Sequence, residues 1–137
     1  NKENEVYLQK ISSEILQNDG ESYIMRMFPQ DEGTSERIIA TFNQARDDEY
    51  GELLEQCEDL LRELGKESIL GKFTFAELEE NEDELQKLAR WYQKIIDRDF
   101  FGASLHPCAD EKLEECRARL ELFSKEVFQR SDEVPHG

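Results

Sequence analysis

The sequence is poor in the residues that build catalytic, metal-binding and membrane-spanning motifs. It has only three cysteines, an odd number, and no Cys-x-x-Cys pair, which argues against a disulfide scaffold and a zinc site. A Gly-rich phosphate loop and a Gly-x-Ser-x-Gly motif are absent. No apolar run approaches the roughly 18 residues that cross a bilayer. We therefore expect a cytoplasmic protein without enzymatic activity, bound cofactor or membrane span.

Positive charge is also scarce. The chain carries 33 acidic and 17 basic residues, for a net charge of −16. Because nucleic-acid affinity comes mainly from Lys and Arg, this segment is not expected to bind DNA or RNA by itself. Its 137 residues suffice for one core. We expect a single domain over residues 1–137, taken from a longer chain because it opens on Asn1 in place of Met.

The best-defined helix signal covers residues 72–102. Thr74 and Glu77 stand in capping-box order at its start, where their side chains can satisfy backbone N–H groups. Gly102 is the expected stop, since glycine readily adopts the left-handed conformation that ends many helices. Apolar residues between them recur at helical spacing and predict one buried stripe. The stripe consists of Phe75, Leu78, Leu85, Leu88, Tyr92 and Ile95.

Two further helices are predicted over residues 34–64 and 109–130, the first ending at Gly65. The connection over residues 66–73 is too short for a crossover. The helices on its two sides are therefore predicted to form a long antiparallel hairpin, along which the helix over residues 109–130 returns.

The N-terminal part, residues 1–30, is predicted to contain one more helix, over residues 5–18, and a short strand over residues 23–28. A lone strand needs a partner, which we expect in a removed N-terminal portion or in a second copy. Residues 31–130 then form the helical bundle, and residues 131–137 a tail. The fold class is mainly α: a long antiparallel helical hairpin with two further helices and one short strand.

Polar residues interrupt the apolar stripes where the hairpin helices should face each other. Arg46 interrupts one stripe and Asp99 the other. With Leu64 opposite Phe75, Arg46 would lie opposite Tyr92. Arg46 is therefore expected to stack on Tyr92 and to reach toward Asp99.

Two interpretations of Arg46 stay open. It either forms a structural ion pair that fixes the alignment of the helices, or it joins Arg90 or Arg98 in an oxyanion pocket, because a forked guanidinium suits such anions. Trp91 adds aromatic surface beside Tyr92. That surface is expected either to pack in the core or to form a dimer patch.

Two other groups of residues are weaker site candidates. His106 and Cys108 lie two positions apart and are weak candidates for a metal or thiol site, since no second histidine stands nearby. Cys57 and Cys116 fall on apolar stripes and are expected to be buried free thiols. The acidic run over residues 77–84 is expected to be a solvated helix face and not a cation site.

Two stretches resemble the N-terminal region of chromate resistance proteins of the ChrB type. They are Phe-Asn-Gln-Ala-Arg-Asp-Asp-Glu-Tyr at residues 42–50, and Phe-Ala-Glu-Leu-Glu-Glu at residues 75–80, followed by Trp91 and by Arg-Asp-Phe-Phe-Gly at residues 98–102. The likeness extends over about residues 20–130. It implies a regulator of chromate resistance whose early part is similar to winged-helix regulators of the PaaX type. It implies no catalytic motif.

Three functional hypotheses follow. The first is a non-enzymatic regulatory or assembly domain that senses an oxyanion, with Arg46 and Arg98 as the positions that match the resemblance. The second is a purely structural oligomerisation module, such as a homodimer. The third and least favoured is a thiol or metal enzyme that uses His106 and Cys108.

Overall fold

The computed structural model describes residues 11–17, 23–29 and 32–133, with side chains over residues 33–132. In chain order these residues form β1 (Ile11–Gln17), β2 (Tyr23–Pro29), α1 (Glu32–Ile69), α2 (Phe75–Arg98) and α3 (His106–Glu133). The described part of the chain is therefore mainly helical, as predicted. None of these helices is apolar over a length that would cross a bilayer.

β1 and β2 form an antiparallel pair, with Ile11 opposite Pro29 and Gln17 opposite Tyr23. The strand predicted over residues 23–28 thus pairs with the segment just before it, and not with a missing portion or a second copy. The helix predicted over residues 5–18 is wrong for Ile11–Gln17, while residues 5–10 lie outside the described part. Short apolar runs fit both helical and strand periods, and a nearby antiparallel partner for the backbone favours the strand.

α1 is longer than predicted, because it continues through Gly65 to Ile69. Its end is set by Gly71, which has φ +69°, while the Lys72 backbone N–H donates to the Glu67 carbonyl at 2.8 Å. This arrangement is a Schellman motif, which needs a left-handed residue after the last turn. A glycine inside a helix costs only about 1 kcal/mol relative to alanine, so Gly65 alone does not end α1.

α2 begins where the capping box predicts. The Thr74 side-chain oxygen accepts the Glu77 backbone N–H at 3.2 Å, and Thr74 has the extended backbone of an N-cap. The helix ends at Arg98 instead of Gly102, since Asp99 adopts a non-helical conformation and turns its carboxylate into the next loop. Gly102 has φ +72° and lies within that loop.

The three helices pack around one core. Tyr50 of α1 bonds to Asp99 just after α2, and Glu67 of α1 bonds to Asn81 of α2, so these two helices run antiparallel. α3 begins at His106, three residues earlier than predicted, and contacts both. The core includes the apolar stripe of α3, which is buried at Leu113, Cys116, Leu120, Phe123 and Val127.

Candidate functional site

The hairpin helices pair in a different register from the predicted one. Tyr50, and not Arg46, lies against Tyr92, with 6.4 Å between the ring centroids. The Tyr50 hydroxyl donates to Asp99 Oδ2 at 2.8 Å. Because α1 continues to Ile69 before the chain turns, each residue of α2 meets a later residue of α1 than expected. The predicted stacking of Arg46 on Tyr92 is therefore wrong.

Arg46 and Arg98 nevertheless come together, through a shared carboxylate. Arg46 Nε lies 2.7 Å from Glu49 Oε2, and Arg98 Nη2 lies 2.9 Å from Glu49 Oε1. The side chains of Arg46 and Glu49 are 15% and 25% exposed. We call these three residues the arginine cluster. With two guanidiniums and one carboxylate, its formal charge is positive in an otherwise acidic protein.

One turn before Arg46, an amide is left without a partner. The side-chain Oδ1 of Asn43 is buried and has no hydrogen-bond partner among the described residues. Residues three apart lie on the same helix face, so Asn43 and Arg46 are neighbours on α1. A buried polar atom without a partner is costly, and its position beside the arginine cluster is a reason to consider a ligand there.

A network of tyrosines lies next to the cluster. The Tyr92 hydroxyl donates to Asp110 Oδ1 at 3.0 Å, and His106 Nε2 lies 3.1 Å from the same hydroxyl oxygen. Since the single hydroxyl hydrogen goes to Asp110, we assign the proton to His106 Nε2, which then donates to Tyr92. The His106 ring stacks on Tyr50 with centroids 5.7 Å apart.

Both tyrosines hold their protons tightly. Burial, together with the hydrogen bond to Asp99, raises the pKa of Tyr50 well above its usual range. Burial and the hydrogen bond to Asp110 raise the pKa of Tyr92 to about 12. Both hydroxyls are therefore neutral donors near neutral pH, and neither is suited to act as a base.

Acidic side chains fix the loop between α2 and α3. Asp47 of α1 accepts the Ser104 hydroxyl at 2.8 Å and the Leu105 backbone N–H at 2.9 Å. Asp99 accepts the Ala103 backbone N–H at 2.8 Å. Phe42 of α1 packs edge-on against Phe101, with centroids 5.7 Å apart. The loop is thus held to α1 on both its polar and its apolar side.

The two stretches that resemble ChrB proteins meet at this site, because residues 42–50 supply the α1 side and residues 98–102 the loop side. The chain matches the family model described as Protein ChrB, N-terminal, over residues 2–134. The chain belongs to this family. The match covers nearly the whole chain and confirms the resemblance. No curated protein matches the chain significantly, and neither does any solved structure.

In this ChrB N-terminal domain the other predicted site residues are placed differently. Trp91 is half-buried and packs against the core. Cys108 is exposed, while His106 is engaged by the tyrosines. Cys57 and Cys116 are buried, as predicted, and the hydrogen bond between them, together with burial, raises the pKa of the Cys116 thiol. Among the described residues, no group of three His, Cys, Asp or Glu side chains is arranged to hold a metal ion.

A second polar site lies near the other end of the α1–α2 contact. Glu67 is 3% exposed and accepts a hydrogen bond from Asn81 Nδ2 at 2.7 Å. Burial, with the Glu77 and Glu63 carboxyls, raises the pKa of Glu67 to about 7, although the Asn81 hydrogen bond opposes the shift. The adjoining groove, of about 490 Å³, is lined by Glu63, Glu67, Glu80, Asn81, Asp83, Glu84 and Lys87.

Sequence reasoning missed most of the partners at both sites. Glu49 and Asp47 look like ordinary surface acids in the sequence, and Tyr50 looks like an ordinary core residue. Their roles depend on which residues α2 and the following loop bring opposite them. The available signal was their position inside residues 42–50, the stretch that carries the family resemblance.

Proposed function

We propose that this chain is a non-enzymatic regulatory domain of a chromate-related regulator, and that the arginine cluster is its oxyanion site. The observation that carries the proposal is the convergence of two guanidiniums, from α1 and the end of α2, on the single carboxylate of Glu49. Tetrahedral dianions such as chromate and sulfate present charged oxygen acceptors to a guanidinium, as the carboxylate of Glu49 does. Such an anion would compete with Glu49 for Arg46 and Arg98.

The unpartnered amide oxygen of Asn43 supports the same location. An amide can present its nitrogen or its oxygen by rotating, so Asn43 can offer a donor to an anion held by Arg46. The family supports a chromate-related role, since its model is that of the ChrB N-terminal region. The net charge of −16 opposes anion binding at long range, but it is screened beyond about 8 Å at physiological ionic strength.

Binding would be coupled to the loop between α2 and α3. Arg98 lies in the last turn of α2, one residue before Asp99, which holds Tyr50 and the Ala103 backbone. An anion that binds Arg98 weakens the hold of that arginine on Glu49, because the two anionic groups repel each other when both approach the same guanidinium. The end of α2 then shifts relative to α1, which gives a domain without catalytic chemistry a way to signal occupancy.

Titration calorimetry of the chain with sulfate and with chromate tests the proposal. We expect saturable binding that is lost in Arg46→Ala and in Arg98→Ala. In Glu49→Gln, which removes the competing charge, affinity should increase by about tenfold. Arg62→Ala is a matched control, since Arg62 forms an ion pair with Asp59 three residues away on the same helix. Absence of saturable binding, or equal binding by Arg46→Ala, would contradict the proposal.

A further inference from the structure

Exposed apolar side chains concentrate at one end of the molecule. Among the described residues, six large hydrophobic side chains are exposed, and five of them lie near the turn between α1 and α2 or on the second half of α3. Leu122 is 62% exposed and Phe128 is 54% exposed. The sixth, Phe100, lies at the opposite end of α2. The five are Ile69, Leu70, Phe75, Leu122 and Phe128, so the prediction that Phe75 belongs to the buried stripe of α2 is wrong.

Aromatic contacts join the turn, α2 and α3 at this end of the molecule. Phe75 of α2 packs edge-on against Phe128 of α3, with 5.1 Å between the ring centroids. Phe73, in the turn, packs against Phe123 at 5.2 Å. Phe73, Leu122 and Phe123 also line a groove of about 270 Å³. We call the surface formed by Leu70, Phe73, Phe75, Leu122 and Phe128 the turn patch.

Charges of opposite sign flank the turn patch. On the α3 side, the Arg130 guanidinium, which pairs with Glu126, lies 4.4 Å from the centre of the Phe73 ring, and Arg119 and Glu126 line the groove. Lys72 directly precedes Phe73, and within the described part of the chain neither Lys72 nor Arg119 forms an ion pair. On the α2 side, the acidic run over residues 77–84 begins in the first turn of the helix.

We propose that a second copy of this chain docks on the turn patch, with the two patches face to face. A two-fold interface requires a surface that complements itself, since each residue contact occurs twice. An apolar centre with the cations Lys72 and Arg119 beside it and carboxylates at the start of α2 meets this requirement. The acidic start of α2 in one copy can then face Lys72 and Arg119 of the other.

This proposal moves the dimer surface away from the one suggested by the sequence. Trp91 and Ile96 are half-buried and pack against the core of their own chain, so they offer little surface to a partner. The turn patch instead holds the apolar area that a monomer would leave in water. The net charge of −16 on each copy opposes association, and only a contact centred on apolar side chains would overcome it.

Sedimentation velocity over a wide range of protein concentrations tests the proposal. We expect the wild-type chain to reach twice its mass of 16.1 kDa as concentration rises. Leu122→Glu and Phe128→Glu should each raise the dissociation constant by about tenfold or more, because each buries an unpaired charge at the interface. Circular dichroism would establish that both variants fold. Because Leu122 is exposed in the monomer, Leu122→Glu should still fold. Its result therefore decides the proposal even if Phe128→Glu unfolds.

Phe100→Glu is the matched control, since it places the same charge on an exposed aromatic at the opposite end of the molecule. It should dimerise like the wild type. Three results would overturn the proposal: a monomer at every concentration, a dimer that survives the Leu122→Glu substitution, or a dimer that is lost in Phe100→Glu. A monomer would leave the turn patch to a partner other than a second copy.

Discussion

At Glu67, a carboxyl group is buried in the contact between α1 and α2 with the Asn81 amide as its donor. Its pKa is raised from 4.5 to about 7, chiefly by burial. The folded protein therefore holds this proton over a pH range in which the unfolded chain has released it. The contribution of Glu67 to the free energy of unfolding is fully present below about pH 4.5. It is lost as the pH rises through about 7.

Glu67→Gln should remove this dependence, because the amide is neutral at every pH. We expect the variant to be more stable than the wild type by roughly 1–3 kcal/mol at about pH 8, and similar to it at about pH 4.5. Urea unfolding at several pH values measures the difference. Glu79→Gln is the control, because Glu79 is an exposed carboxylate in the acidic run over residues 77–84 of α2. If Glu67→Gln increased the unfolding free energy equally at both pH values, the pKa of Glu67 would not be raised by folding.

Tyr50 and Tyr92 allow a second comparison of single groups. Tyr50→Phe removes the hydroxyl that donates to the half-buried Asp99 and should cost about 1–2 kcal/mol of unfolding free energy. Tyr92→Phe should cost at least as much. Its acceptor Asp110 is exposed and can bond to water instead, but the substitution also leaves the half-buried His106 Nε2–H without its acceptor. Chemical denaturation of both variants checks the order. A clearly smaller loss in Tyr92→Phe would contradict it.

At the scale of the elements, the ends of the helices depend on backbone conformation more than on glycine content. Gly65 lies inside α1, where an added Cβ would meet no atom within 4 Å. Gly71 lies past its end with φ +69°, where an L side chain is strained. Two glycines of the same helix region therefore have opposite roles.

Replacing each glycine by alanine should change the stability of the protein in opposite directions. Gly65→Ala should stabilise the protein by about 0.5–1 kcal/mol, since alanine loses less backbone entropy in a helix. Gly71→Ala should destabilise it by about 1–2 kcal/mol, the cost of a left-handed non-glycine residue. Thermal unfolding of the pair provides the measurement. The interpretation fails if the two substitutions shift the melting temperature in the same direction.

At the scale of the whole molecule, charge is the dominant feature. The chain carries a net charge of −16, and four of the ion pairs among the described residues join side chains that are both exposed, where each pair contributes little. Repulsion among carboxylates should therefore outweigh attraction in the compact state.

Added sodium chloride should raise the melting temperature from low to physiological ionic strength, since salt screens this repulsion. Chloride is used instead of sulfate, because sulfate could also raise the melting temperature by binding at the proposed oxyanion site. Calorimetric scans at constant pH and increasing chloride measure the effect. A melting temperature that falls with salt would mean that attractive pairs dominate.

Local features of this domain could be predicted from its sequence. The Thr74 cap, the buried stripe of α3 and the buried thiols Cys57 and Cys116 follow from residues three or four apart, whose contacts depend only on helix geometry. Family membership followed from the order of residues in two short stretches. Arg46 was predicted to need a partner because a charge on an apolar stripe must be paired, and Arg90 or Arg98 was the predicted second arginine of an oxyanion pocket because a guanidinium suits such anions.

Contacts between distant residues were decided by the tertiary structure. Where the chain turns after α1 sets the register of α2, and that register replaced Arg46 by Tyr50 opposite Tyr92 and made Glu49 the bridge between the arginines. The pairing of β1 with β2 likewise overrode a helical pattern in Ile11–Gln17. Periodicity determines which face of a segment is apolar, but not which residue of another segment lies against it, because that depends on the packing of all the elements together.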